Sequence, residues 1–317
     1  QGKHPMPEPT PPHYITFSNI IIDDIVLWDG RTFMNTLGGA GTHALIGMAV
    51  WSDRLGYVAT VGPDFTAEQW AQLAKLNIDV RGVKLIDEYT TTRAWQLFEP
   101  DERRIEIMRT DLQAFFDYTP YFAHMPADYR QARGVHVQWG HTFAELVELL
   151  QQFHDANPQV KLVWEPALEF LDGSAADFRP VLERLALFSP DIEQAQQMTK
   201  LADPNDMAKA LLDWGSSCVA IRMGAAGSIV RTAAGEGWRI PAVPPAQLVD
   251  VTGAGNAYCG GFIYGLGEGE SVLESALHAA VSASFAIEQF GVPDFGAETN
   301  VLAQQRLGWA REHWAEA

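Results

Sequence analysis

Apolar positions along the chain alternate between two periods. From Tyr14, YITFSNIIIDDIV is a run of β-branched and aromatic residues that predicts one strand running into the paired carboxylates Asp23 and Asp24. A short polar stretch from Trp28 to Leu37 follows, and after the glycines of GGAGTHALIGMAVW the apolar residues fall at helical spacing. LGYVATVG (55–62) predicts a buried strand, and TAEQWAQLAKLN (66–77) a helix in which Thr66 and Gln69 form a capping box. Two alternating runs around the polar EPDERR predict a hairpin over 90–110 whose exposed faces set it outside the main sheet. Beyond Pro120, strand and helix patterns alternate through GVHVQWG, TFAELVELLQQFHDA, VKLVWEP, DFRPVLERLA, LFSPD, DPNDMAKALLDWG and CVAIRMG. AGSIVRTAAGEGWRIPAV adds strand and turn, and GNAYCGGFIYGLGEG and SVLESALHAAVSASFAIEQFG are long apolar helices. Repeated βα units of this length predict a mostly parallel sheet covered by helices on both faces.

Composition narrows the class. A chain of 317 residues, 47% apolar and 20% charged, suits α/β domains and excludes a disordered or disulfide-stapled protein. With 22 basic against 40 acidic residues the net charge is −18, a surface that repels nucleic acid and anionic membrane, so neither is an expected partner. Cys218 and Cys259 are the two cysteines, too few for a zinc site, and they favour a reducing, cytoplasmic setting. No apolar run reaches the roughly 18 residues of a membrane-spanning helix. The proline-rich residues 1–13 predict an extended arm, and 14–317 a single domain. His136 and His141 flank VQWG, but no carboxylate completes a ligand set there. Glu165-Pro166 ends a strand at the sheet edge where ligands bind in α/β folds.

The strongest chemical signal is DVTGAGNAYCGGFIYGL, residues 250–266. Gly253, Ala254 and Gly255 immediately precede a helix, so successive N–H groups can converge on one point with no side chain in the way. Aligned amides and the positive end of the helix dipole stabilise a phosphoryl group gaining charge. The plain alternative is a tight turn whose glycines serve backbone geometry alone.

This stretch resembles the C-terminal signature D-T-x-G-A-G-D-A-F of the ribokinase-like, or PfkB, family of carbohydrate kinases, and the resemblance extends over nearly the whole chain. It implies a ribokinase-like three-layer α/β/α sandwich with a mainly parallel central sheet. It also implies a small β lid from about 28–37 and 89–110, closing over the substrate to exclude water. SNIIID (18–23) looks like the family's first strand, with Asp23 as the residue holding substrate hydroxyls. GGAGTHA (38–44) resembles G-G-x-x-x-N-x-A, which assigns Gly38, Gly39 and His43 to the substrate, His43 standing in place of Asn. SPDIEQA (189–195) resembles P-N-x-x-E, which implies Asp191 on the nucleotide side and Gln194 in water-mediated contact with magnesium. IRMGAAG (221–227) resembles V-T-x-G-x-x-G, placing Arg222, Gly224 and Gly227 beside the nucleotide. Asp250 and Thr252 match positions that help hold a monovalent cation such as K+, and the family's lids sometimes pair between subunits, implying a homodimer.

The family's general base is the aspartate after the second glycine, and that position here is Asn256. A carboxamide has no useful basicity near neutral pH. A positioned base contributes about 10²- to 10⁴-fold, whereas phosphoryl transfer rests mainly on positioning and electrostatics. The expected activity is therefore ATP- and Mg2+-dependent phosphorylation of a hydroxyl on a sugar or nucleoside-like molecule, weakened by the missing base, with His43, Asp23 or Asp24 as substitutes by chemistry. The alternative is a catalytically silent relative that binds nucleotide or sugar as a sensor or partner protein. A third reading, a nicotinamide-binding Rossmann enzyme, rests on Gly39, Gly41 and Ala44 matching G-x-G-x-x-A, but lacks a buried strand before the loop.

Overall fold

A computed structural model describes residues 10–100, 104–139, 142–166 and 170–317. Its main sheet has the strand order β14-β13-β12-β11-β10-β9-β8-β1-β4-β5. The parallel part comprises β1 (Tyr14–Phe17), β4 (Leu55–Val61), β5 (Val83–Leu85), β8 (Gly134–Val137), β9 (Lys161–Trp164), β10 (Leu187–Phe188) and β11 (Cys218–Arg222). Antiparallel strands β12 (Ser228–Thr232), β13 (Gly237–Ile240) and β14 (Ala315–Glu316) extend one edge.

Both faces of this sheet are covered, which is why its strands read as nearly continuous apolar runs. Along β11, Cys218 and Ala220 point to one core and Val219 and Ile221 to the other. The first core is closed by α1 (Ala40–Ala49), α2 (Ala67–Ala74), α8 (Ala254–Gly267), α9 (Val272–Ala286) and α10 (Ala297–His313). The second is closed by α4 (Phe143–Ala156), α5 (Ala175–Leu182), α6 (Ile192–Thr199) and α7 (Pro204–Asp213). α3 (Leu112–Asp117) lies outside these layers. The result is the expected α/β/α sandwich, and the capping box of Thr66 and Gln69 forms at the start of α2.

The tyrosine-led run divides where a single strand is expected. β1 stops at Phe17, and β2 (Ile21–Val26) belongs to a separate four-stranded sheet of order β3-β2-β6-β7. β3 (Thr32–Gly38) and β7 (Arg104–Met108) pair antiparallel with their neighbours, while β2 and β6 (Arg93–Phe98) are parallel. Asp23 therefore stands on the small sheet, not at the end of a core strand. β3 is a partly exposed strand of that sheet, so the βαβ unit of the Rossmann reading is absent. The lid segments expected at 28–37 and 89–110 supply three of the four strands, and β2 is the fourth. Of the expected N-terminal arm, only residues 10–13 are described, and Arg54 donates to the Pro11 carbonyl there.

Sheet order reverses about β1, which is flanked by β4 on one side and β8 on the other, and in open α/β sheets ligands bind in the crevice outside the carboxyl ends of strands at such a point. The helix that begins at Ala254 brings its N-terminus to this edge, where Asn256 reaches Glu165 just beyond β9.

Candidate active site

Gly253 caps α8 in left-handed backbone, φ 76°, with no side chain satisfying the first turn. Ala254 gives its N–H to the Val251 carbonyl at 3.3 Å, and Thr252 gives its own to Asp250 Oδ1 at 2.8 Å. Among the described residues the amides of Gly253, Gly255 and Asn256 make no such bond, and all three residues are partly open to solvent. The expected cradle of Gly253, Ala254 and Gly255 is thus modified. Ala254's donor is taken, and the Asn256 amide completes the set of free donors at the positive end of a 14-residue helix.

Two buried side chains clasp this loop, and each explains a glycine. A Cβ on Gly253 would lie 2.0 Å from His43 Cγ, and one on Gly255 would lie 2.0 Å from Arg222 Nη1. His43 is buried on α1 and its Nδ1 has no partner. Burial, reinforced by the charge of Arg104, pushes the imidazole down to about 4, so it is neutral at pH 7 with a free ring nitrogen at the loop.

Beneath the loop runs a chain of polar contacts that links five elements, four strands and a helix. Thr16 Oγ1 lies 3.0 Å from His136 Nδ1, and His136 Nε2 lies 2.7 Å from Glu165 Oε1. Arg222 Nη1 pairs with Glu165 Oε2 at 2.8 Å, and Asn256 Nδ2 donates to both oxygens at 3.0 and 3.1 Å. Burial alone would raise the Glu165 carboxyl, but Arg222, His136 and the Asn256 amide together hold it at about 2. Arg222 is therefore directed under the loop, a placement the family motif does not disclose. The sequence marks Glu165 only as a sheet-edge residue and gives His136 no partner. The available signal was a carboxylate and a guanidinium at the carboxyl ends of two buried strands, where each needs a counter-charge. His141 lies outside the described residues. Cys259 is buried and burial pushes its thiol up, as suits a packing residue.

On the small sheet, Asp23 and Asp24 point to opposite faces, following the two-residue period of the strand. Asp23 is buried beside Gln96, whose Nε2 donates to Oδ1 at 2.9 Å, and its carboxylate occupies the space a side chain at Gly38 would need. Burial pushes this carboxyl up to about 7, against the Gln96 bond that lowers it. Gly39 caps α1 at φ 84°. Asp24 is unavailable as a base. Burial would raise it, but the Asn35 amide, Arg93 and Arg109 overturn that and hold it below the ordinary carboxylate range. Arg104 on β7, not singled out in the sequence, acts electrostatically on Asp23, His43 and Asp250, so a cation of the small sheet overlooks the crevice.

The residues matched to nucleotide and magnesium are mostly engaged with one another. Asp191 caps α6 by accepting from the Gln194 amide at 2.8 Å, and Gln194 Oε1 accepts the Asp191 N–H at 2.9 Å. Gln194 Nε2 donates to the Pro166 carbonyl at 3.2 Å, so each end of the carboxamide makes one bond, with one N–H and one oxygen lone pair left over. Gly224 and Gly227 frame the turn between β11 and β12, with positive φ of 56° and 80°. At the site matched to a monovalent cation, the buried Thr252 hydroxyl lies beside the Asp250 carboxyl, which burial raises and the Thr252 amide and hydroxyl lower.

Comparison with known proteins places this geometry. The family model described as pfkB family carbohydrate kinase matches residues 16–300. A cytidine kinase of Thermococcus kodakarensis is 25% identical over 268 residues, spanning 82% of this chain and 90% of its own. Arabidopsis thaliana ribokinase, solved with ribose and ATP, superposes with a TM-score of 0.72 at 17% identity, over 94% of this chain and 99% of its own. A putative ribokinase II of E. coli, solved with ATP and Mg2+, gives 0.73 at 17% identity with the same coverage. The ribokinase-like fold and the match to the family model over most of its length establish that this chain is a member of the pfkB family of carbohydrate kinases.

Proposed function

We propose that the protein transfers the γ-phosphoryl group of ATP to a hydroxyl of a sugar or nucleoside-like small molecule. The observation that carries this reading is the set of unbonded amides of Gly253, Gly255 and Asn256 at the N-terminus of α8, with His43 packed against Gly253. These donors are fixed before reaction and meet charge as it develops on the phosphoryl oxygens. Gly38, Gly39, Asp23 and His43 form the acceptor side, while Gly224 and Gly227 border the nucleotide.

Asn256 accepts a hydrogen bond from the acceptor hydroxyl but does not take its proton. The acceptor oxygen bonds to the γ-phosphorus as the bond from phosphorus to the bridging oxygen of ADP breaks. The hydroxyl proton passes to an oxygen of the transferred phosphoryl group. Mg2+ supplies charge neutralisation on the phosphates, and Asp191, through the oxygen its capping box leaves free, is the group fitted to a water-mediated contact. Gln194 Oε1 already accepts the Asp191 N–H and keeps one lone pair for a water-mediated contact of the same kind. The buried Thr252 hydroxyl and the Asp250 carboxyl offer oxygens that fit a monovalent cation such as K+, whose charge would reinforce the cradle.

The silent-relative reading keeps the same cradle for binding and differs in turnover, which the test below decides. For assembly we propose a homodimer through the outer face of the small sheet, where Trp95, Ile105 and Ile107 are exposed together. The activity is tested by ADP release with MgATP over a panel of sugars and nucleosides. Acceptor-dependent release is the expected result, and ADP formation indifferent to every acceptor would defeat the reading.

A further inference from the structure

The carboxylate buried under the loop is the one group at this site that the phosphotransferase reading leaves without work. Asn256 gives its Nδ2 to both oxygens of Glu165, while Arg222 and His136 close on the same group at 2.8 and 2.7 Å. An ionised carboxylate can only accept, so the carboxamide has one allowed orientation, nitrogen inward and Oδ1 turned away from Glu165. Asn256 sits in the first turn of α8, next to the free amides, and is partly open to solvent, so its oxygen, turned away from Glu165, is left to a ligand.

We propose that Glu165 is a positioning residue that holds Asn256 with Oδ1 directed at the acceptor hydroxyl. In this arrangement position 256 carries no charge, and the carboxylate in contact with it belongs to Glu165, where Arg222 balances it. The role of the hydroxyl rests on the phosphotransferase reading; the pairing of the two side chains rests on geometry alone.

The consequence runs against the simplest repair. Asn256→Asp sets two carboxylates in contact at the present spacing of about 3 Å, where both cannot ionise. Glu165→Gln leaves the Arg222 guanidinium buried without its anion and offers Asn256 either end of an amide. The double variant Asn256→Asp/Glu165→Gln re-forms one carboxylate against one carboxamide, with the partners exchanged, and keeps an anion in the same cluster as Arg222.

The test compares these three variants with the unaltered protein by thermal unfolding and by steady-state kinetics with MgATP and acceptor. Each single variant should melt lower by roughly 4–7 °C, and the double should return to within about 2 °C. Each single should lose about 10- to 100-fold in kcat with KM for ATP within about threefold, and the double should recover most of the loss. A purely structural Glu165 would lower the melting temperature but leave kcat of the folded protein intact, which would overturn the positioning role. An Asn256→Asp variant as stable as the parent, or single effects that simply add in the double, would overturn the charge exchange. If the unaltered protein transfers no phosphoryl group, the functional reading fails separately. The melting cycle then still decides whether the pair compensates or adds.

Discussion

Replacing Gly253 by alanine tests the loop at the point where backbone and packing both demand glycine. The position has φ 76°, and its added Cβ would fall 2.0 Å from His43 Cγ. A non-glycine residue in left-handed backbone costs about 1–2 kcal/mol. Forcing a methyl into a packed ring costs about 1–3 kcal/mol more, since His43 is buried and has nowhere to retreat. The sum is about 2–5 kcal/mol. With an unfolding entropy near 2.1 cal/mol/K per residue over 317 residues, that corresponds to a fall in Tm of roughly 3–7 °C. Gly269→Ala supplies the control, because Gly269 has a similar φ of 82° with nothing within 4 Å, so it bears the backbone cost alone. Adding His43→Ala to Gly253→Ala removes the overlap and should show a coupling of about 1–3 kcal/mol in the double-mutant cycle. In kinetics, displacing the Gly253 amide should cut kcat by about 10²- to 10³-fold, as for loss of one donor at an oxyanion site. Differential scanning fluorimetry and coupled ADP release measure both. Equal melting of the Gly253 and Gly269 variants, together with unchanged turnover, would refute the packing and the cradle alike.

Asp23 links stability to pH. Its carboxyl is raised to about 7 in the folded protein, so it favours folding fully below its ordinary value near 3.8, and that contribution is lost as pH rises through 7. Asp23→Asn should therefore be more stable than the parent at pH 8, by an amount on the order of 3–4 kcal/mol in urea titrations, and lose acceptor binding; equal stability at pH 5 and pH 8 in both proteins would contradict this. Asp24→Asn, which weakens the hold on Arg93 and Arg109, should cost about 3–5 kcal/mol, read as a lower urea midpoint. Ile107→Lys should shift sedimentation toward monomer, and an unchanged species would remove the small-sheet face as the dimer contact.

Much of the layered fold was legible because buried parallel strands and their covering helices have distinct periods, and because local signals such as the Thr66 and Gln69 box act within one turn. The division of YITFSNIIIDDIV was not legible. β-branched residues suit both sheets equally, and the break follows from pairing of β2 with β6, some seventy residues away in sequence. α10 escapes the periodic reading because its buried stripe of Ala303, Arg306, Leu307 and Ala310 includes an arginine, neutralised by Glu288 on a distant segment. At the site, the glycine loop announced itself, since the need for bare amides is written in adjacent residues. Which amides remain free was hidden, because it depends on the turn made by Val251. The Glu165 cluster was hidden for a similar reason. Its members come from β8, β11, α8 and the end of β9, and opposite charges far apart in sequence give no pattern until the sheet brings their ends together.

The most direct measurement follows label from γ-labelled ATP in the presence of the protein, Mg2+ and an acceptor found in the panel. Label on the acceptor in excess of label in inorganic phosphate is expected, with transfer slowed about 10²- to 10³-fold by Gly253→Ala. Label confined to inorganic phosphate whatever the acceptor, or transfer undiminished in that variant, would contradict that expectation.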